Sequence, residues 1–345
     1  MKLRLHKKYK LWLLITVFVA LILGLTLGSV GFAPKELFSI VSHKLFGASL
    51  NDTIKPIHVS ILWTIRFPRA LMAFLVGACL AASGTVMQSV LRNPLASSYT
   101  LGVSSGASLL AAFVIVSGFS IPMIGRYTLP FMGFLGGLGT VFLAIAISVR
   151  FSKTLENHTI ILVGMVLSLF VNALLTVITS LSHERLSHLV FWQMGSFQGQ
   201  TWTNIGITLP VLLFGLAVFF YYSREMDLMT FGEEQALSSG VDAPKVKFVL
   251  LTVSALLTGI SVSFVGIIGF IDLIAPHIVR RFFGSNHRMV VPLSALLGGG
   301  FMVVCDLVSR TIISPQELPI GAVTALIGAP FFAYLYYFHK GNKHA

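Results

Sequence analysis

Gly102-Val103-Ser104-Ser105-Gly106 matches the Gly-x-Ser-x-Gly pattern of a nucleophile elbow, in which a raised serine attacks an acyl carbon. That chemistry needs a strand before the motif, with histidine and an acidic partner to activate the hydroxyl. Here the motif opens an apolar run instead, so a helix-opening turn is the better reading than a hydrolase. The ten histidines are scattered. They form no His-x-x-x-His and no His/Cys cluster, so no metal site is expected. His183 and His188 lie five apart on a loop and read as solvated. No Gly-x-x-x-x-Gly-Lys-Ser/Thr occurs, so the chain is not built to cradle nucleotide phosphates in the usual way. With no catalytic constellation and no cofactor motif, an enzyme is not expected.

Asp272 is the remaining group with chemical potential, because it interrupts an apolar run over residues 248–275. A carboxylate there is costly unless it faces protein or water, or takes up a proton. The expected role is structural: capping exposed backbone amides or meeting a polar group on a neighbouring helix. Proton coupling is the alternative. Arg280 lies eight residues on, roughly 12 Å along a helix at about 1.5 Å per residue, so the two are not expected to pair directly.

The elements that hold these residues are long apolar stretches. Only 10% of the 345 residues are charged, 55% are hydrophobic and the mean hydropathy is +0.88, which is too little charge to cover a water-soluble fold of this length. About 20 apolar residues match the bilayer core, where a helix satisfies its own backbone. The chain reads as an all-α polytopic membrane protein with about ten transmembrane helices, at 11–31, 69–91, 97–118, 128–150, 158–181, 203–222, 246–265, 266–283, 289–310 and 318–338. The division near Gly266 is the hardest to place. No linker divides the chain, so residues 1–345 are read as a single membrane domain. The basic start followed by Leu11–Gly31 is read as a retained first helix rather than a signal peptide, because the apolar run is too long. Cys79 and Cys305 both fall inside spans, so no disulfide framework is expected.

Ten spans put both termini on one side. Segments on that side carry twice as many Lys and Arg as those opposite, which places the termini in the cytoplasm. The formal charge of +12 then follows from topology and anionic headgroups, and nucleic-acid binding is excluded for want of a compact basic domain. Gly24/Gly28 and Gly133/Gly137 have the spacing that lets helices approach closely in lipid. Outside, residues 34–66 can hold an interfacial helix from Pro34 to Phe46. Inside, the largest insertion runs from Arg224 to Lys247. It carries an amphipathic pattern over 226–240 that ends at Gly240, and its length suggests that something docks there.

A resemblance emerges at Ile65-Arg66-Phe67-Pro68-Arg69-Ala70-Leu71 and continues through Gly84-Thr85-Val86-Met87-Gln88, Arg92-Asn93-Pro94-Leu95-Ala96 and Leu101 to Ala107. It returns at Gly232-Glu233-Glu234, Ile268-Gly269-Phe270, Ala275-Pro276-His277, Asp306 to Arg310, and Glu317 through Phe331. The ordered set resembles the FecCD-type permeases, the membrane subunits of ABC importers for ferric siderophores, haem and vitamin B12. Ile267 stands where that family often has proline, and Asp272 where it usually has glycine. The first 60 residues carry little of the pattern.

The resemblance implies the fold of a vitamin B12-importer-like type II ABC importer in the bacterial cytoplasmic membrane. Its partners would be a second permease subunit (identical or different), a cytoplasmic ABC ATPase dimer and an extracellular or periplasmic substrate-binding protein. By the same resemblance, Arg66, Arg69 and Arg310 would dock acidic residues of the binding protein; the alternative is that they anchor helix ends at the headgroups. The segment of about 225–243 would form the ATPase-coupling helices, with Gly232 at the turn and Glu233 and Glu234 opening the second helix, or else a solvated loop. Asn93 and Leu95 would lie near the cytoplasmic gate, or simply form a turn. The substrate expected from the family is an iron(III)–siderophore complex, with haem or vitamin B12 as alternatives. An ion-coupled secondary transporter is the rival from another class, and Asp272 is its main support.

Overall fold

Apolar runs of this length become helices because lipid offers the backbone no other hydrogen-bond partner. A computed structural model describes residues 2–28, 31–50, 54–152, 155–181 and 185–341, with side chains described from residue 8 to residue 334 within these ranges. His183 lies outside the described residues. In chain order the α-helices are α1 (Lys2–Thr26), α2 (Pro34–Phe46), α3 (Pro56–Ser60), α4 (Phe67–Val90), α5 (Val103–Ser117), α6 (Thr128–Phe151), α7 (Asn157–Ser180), α8 (Leu186–Met194), α9 (Trp202–Tyr221), α10 (Ser223–Thr230), α11 (Glu233–Ser238), α12 (Ala243–Val265), α13 (Ile271–Phe283), α14 (His287–Thr311) and α15 (Ile320–Gly341). The interfacial helix expected from Pro34 to Phe46 is α2, and it closes on Gly47 in the left-handed region.

Among the described residues, seven helices have the length and composition to cross a membrane, rather than ten. Each of the ten expected stretches holds a helix, but two are short. α5 has 15 residues because Ser98–Leu101 turn in 3-10 geometry and Gly102, at φ 86°, resets the chain before the helix starts. α13 has 13 residues, because Gly266 (φ 77°) ends α12 and the chain stays non-helical to Phe270 (φ 70°). α15 has 22 residues, of which Ile320–Tyr334 is apolar among those with described side chains. One span is longer than expected. α3 and α4 join through a π turn at Ile61–Arg66 into a 35-residue rod, Pro56–Val90. There Phe67 N–H bonds to the Leu62 carbonyl, so the register shifts just where Pro68 has no N–H to give.

α4 is the central rod, with α9, α12, α13 and α14 packed around it and nearly every side chain from Ala70 to Val90 buried. Its start meets the end of α14 and its end meets the start of α14, so the two run antiparallel. They cross in backbone contact: a Cβ on Gly77 would stand 2.3 Å from the Gly298 carbonyl oxygen. α5 and α6 cross the same way at Gly106 and Gly136, where the built Cβ distance is 2.2 Å. The close approach on α6 is therefore Gly136, and the flanking Gly133 has only ordinary contacts. Leu162, Leu169 and Phe170 of α7 and Leu213 and Phe214 of α9 point outward, as lipid-facing side chains do. Cys79 and Cys305 are buried free thiols.

Candidate functional site: polar clusters at the two ends of α4

The three arginines singled out in the sequence converge at the start of α4. Arg66 is buried, with 5% of its surface exposed. Its Nη1 donates to the carbonyls of Leu25 (3.0 Å) and Thr26 (3.1 Å), and the guanidinium lies 4.7 Å from the Phe32 ring centroid. Arg310 donates to the carbonyl of Gly24. Both therefore satisfy carbonyls at the C-terminus of α1 that have no partner within the helix, where the helix dipole also favours a cation. Arg69 is held by two carboxylates: Asp306 Oδ1 lies 2.8 Å from Nη2, and Glu317 accepts from Nη1 (2.7 Å) and Nη2 (2.9 Å). Arg310 Nε is 3.5 Å from the other Asp306 oxygen.

Glu317 reaches Arg69 because Leu318 N–H donates to the Ser309 carbonyl (2.9 Å) and Ser309 Oγ donates to the Leu318 carbonyl (2.5 Å), folding the α14–α15 connection back. Burial works to raise the Glu317 carboxyl, but the Arg69 hydrogen bonds win and hold it below the usual carboxylate range. Three guanidiniums against two carboxylates leave this end positive.

The other end of α4 carries the turn at Arg92–Leu95 and the two short helices α10 and α11. Arg92 takes φ 50° and ends α4. Asn93 Oδ1 accepts from Leu95 N–H (2.9 Å), and the Leu95 side chain is exposed. Beside it, α10 and α11 meet at Gly232, which sits at φ 135° and ψ 153°. Glu233 and Glu234 form the first turn of α11, where acidic groups suit the helix dipole. Glu233 Oε1 lies 2.5 Å from Nζ of Lys247, which is fully buried and also donates to the Leu155 carbonyl (2.8 Å). Asp227 of α10 accepts from the backbone amide (3.0 Å) and Nδ1 (2.5 Å) of His287. Those hydrogen bonds outweigh burial and keep the Asp227 carboxyl below its ordinary range.

Asp272 sits in the first turn of α13, 4% exposed. Its carboxylate faces the Ser97 side chain and the backbone amides of Asp272 and Leu273. The main chain of α13 comes so close to α4 that a Cβ on Gly84 would stand 2.0 Å from the Asp272 carbonyl oxygen, and Gln88 Nε2 donates to that same oxygen (3.1 Å). The unwound stretch before α13 is satisfied by its neighbours. Ser196 N–H donates to Val265 O (2.9 Å) and the Tyr99 hydroxyl to Ile268 O (2.7 Å).

Lys247, Asp227 and His287 were not picked out in the sequence. Asp227 and His287 meet across 60 residues, Lys247 reaches back 92 residues to Leu155, and none of the three stands in a motif.

The sequence pattern of the FecCD transport family matches residues 14–338, reaching well into the first 60 residues. An ABC transporter permease protein from Bacillus subtilis, YvrB, is 40% identical over 94% of this chain and 92% of its own length. The cobalamin import permease BtuC of Halobacterium salinarum is 39% identical over 80% of this chain and 73% of its own. Among solved structures, an inward-facing conformation of a transporter assigned to the metal-chelate ABC type superposes with a TM-score of 0.83. It is 31% identical and covers 96% of this chain and 99% of that one.

Proposed function

Because the chain belongs to the FecCD transport family, we propose that it conducts a metal chelate, foremost an iron(III)–siderophore complex, with vitamin B12 or haem as the alternatives. It is the membrane-spanning permease subunit of an ABC importer, and a separate ATPase subunit hydrolyses the ATP. The observation that carries the substrate class is the end-to-end likeness to a transporter of the metal-chelate type.

The short helices α5 and α13, with α15, complete ten membrane segments in this reading, with both termini cytoplasmic. Two permease subunits pair around the pathway, an ATPase dimer binds α10 and α11 from the cytoplasm, and a binding protein docks outside. The positive cluster of Arg66, Arg69 and Arg310 attracts that binding protein's acidic residues, and Asn93 and Leu95 border the cytoplasmic gate. The test is uptake by cells of labelled ferric siderophores, haemin and cobalamin. Expected is uptake of one class that collapses on ATP depletion and survives an uncoupler. Uptake that instead follows the proton gradient would overturn the reading.

Asp272 then serves structure rather than ion coupling, since its carboxylate already meets Ser97 and backbone amides. Asp272→Asn keeps the hydrogen-bonding shape and is expected to retain ATP-driven uptake to within about twofold. Asp272→Leu leaves those amides without an acceptor at a cost of about 1–3 kcal/mol, so less assembled complex should be recovered from membranes. Loss of uptake in the Asn variant, with normal assembly and ATPase stimulation, would make the charge itself functional.

A further inference from the structure

Between α10 and α13 runs an unbroken line of hydrogen-bonded side chains. Arg280 has donors only. Its Nη1 donates to Gln88 Oε1 (2.5 Å), and its Nη2 donates to the Thr85 carbonyl (3.0 Å) and to Ser89 Oγ (3.2 Å). At the far end, ionised Asp227 can only accept, so His287 Nδ1 carries the proton between them (2.5 Å). On the other side of the ring, His287 Nε2 and the Ser89 hydroxyl share a hydrogen bond (2.5 Å). The order is Arg280 to Ser89 to His287 to Asp227, a cation joined to an anion through a hydroxyl and an imidazole. Gln88 extends it from Arg280 to the Asp272 backbone carbonyl.

Four helices meet in this line: α10 supplies Asp227, α14 opens with His287, the last turns of α4 carry Gln88 and Ser89, and α13 carries Arg280. Ser89 and His287 are both buried. A buried link that breaks leaves its donor or acceptor unsatisfied, so the line resists being pulled apart one bond at a time. The backbone amide of His287 also donates to Asp227 (3.0 Å), and any residue at 287 could keep that bond. Holding α14 to α10 therefore does not need the imidazole. Bridging α10 to Ser89 does.

We propose that His287 is a positioning residue that passes movement between the ATPase-facing helix α10 and the cytoplasmic ends of α4 and α13. The inference rests on the assignment of α10 and α11 to ATPase docking. His287 acts through Ser89, only a few residues before the turn that carries Asn93 and Leu95, so a shift of α10 reaches the gate-bordering turn through one rigid ring.

The test uses the complete complex of permease, ATPase and binding protein reconstituted in vesicles. His287→Asn keeps an amide within reach of Asp227 but falls short of Ser89, and Ser89→Ala removes the next link while leaving the ring in place. Both are expected to keep basal ATP hydrolysis and to lose about tenfold in its stimulation by the binding protein, a loss typical of removing a hydrogen bond to a buried partner. Leu95→Cys, which at a gate between two permease subunits should cross-link to its counterpart in a nucleotide-dependent way, should lose that dependence in both. The two changes combined should cost no more than either alone, because they cut one line. Parental stimulation in both variants, or strictly additive losses, would overturn the proposal. Should His287→Asn fail to assemble, Ser89→Ala decides alone. Failure of the docking assignment has a different signature: Gly232→Pro in the otherwise native complex would leave stimulation intact.

Discussion

Arg69→Ala is expected to destabilise the permease by about 3 kcal/mol, because removing one partner from a buried ion pair strands the other charges. The Asp306 side chain is only 2% exposed and draws its nearest cationic contact, at 2.8 Å, from Arg69. The figure is placed at the lower end of the usual range because Arg310 Nε remains 3.5 Å away and recovers part of the charge balance. Arg69→Lys should also lose stability, since a point charge cannot grip Glu317 with two parallel bonds while holding Asp306. Replacing Arg69, Asp306 and Glu317 together by apolar residues of similar size should recover only part of the loss: no carboxylate is then stranded, but Arg310, 9% exposed, loses its Asp306 partner. Denaturation of the purified protein in mixed micelles measures all three. An alanine variant as stable as the parent would mean that the network is not desolvated. A further variant, Arg310→Ala, tests docking: binding-protein affinity should fall for it and for Arg69→Ala alike if the positive cluster attracts the partner.

The helical class and the place of most spans are legible in the chain because hydropathy is a sum over about 20 residues and tolerates local error. Local backbone geometry is not a sum. The run 248–275 is equally apolar throughout, yet it breaks over Gly266–Phe270, where carbonyls find Ser196 and Tyr99 in place of a helical turn. Gly266 hinted at the break. Phe270 at φ 70° could not, since nothing in a phenylalanine announces the left-handed region. In the same way Pro68 marks a helix start by local rules, but the π turn before it carries the rod on to Pro56.

The site was legible where chemistry recurs in short motifs, and hidden where it depends on pairing across the fold. Arg66, Arg69 and Arg310 stand out as charges beside apolar spans. Their partners, among them the carbonyls of Gly24, Leu25 and Thr26, exist only because α1 ends beside the start of α4. Lys247 looks in sequence like one more cytoplasmic lysine of the positive-inside bias. Folded, it is fully buried and ties Glu233 to the Leu155 carbonyl. A charged group inside an otherwise solvated segment gives no sign of burial until the elements that cover it are placed.

The largest functional loss is expected from Gly232→Pro, which should abolish ATP-driven uptake and the stimulation of ATP hydrolysis by the binding protein. Gly232 holds φ 135°, and proline is confined near −65°, so the turn between α10 and α11 cannot form as it stands. Proline would also delete the Gly232 N–H bond to the Met229 carbonyl (3.3 Å). Packing plays no part, because a Cβ at this position would meet nothing within 4 Å. That separates two explanations of any defect. Gly232→Ala keeps the N–H and adds only backbone strain of about 1–3 kcal/mol, so it should give a partial loss in the same two assays. α11 remains tied to α12 and to residue 155 through Glu233 and Lys247, so redirecting the turn should displace α10 relative to α11 rather than unfold the membrane helices. Binding-protein affinity, which the proposed docking places at the opposite end of α4, should stay at the parental value while stimulation disappears. Stimulation retained in the proline variant would place ATPase docking elsewhere on the cytoplasmic face.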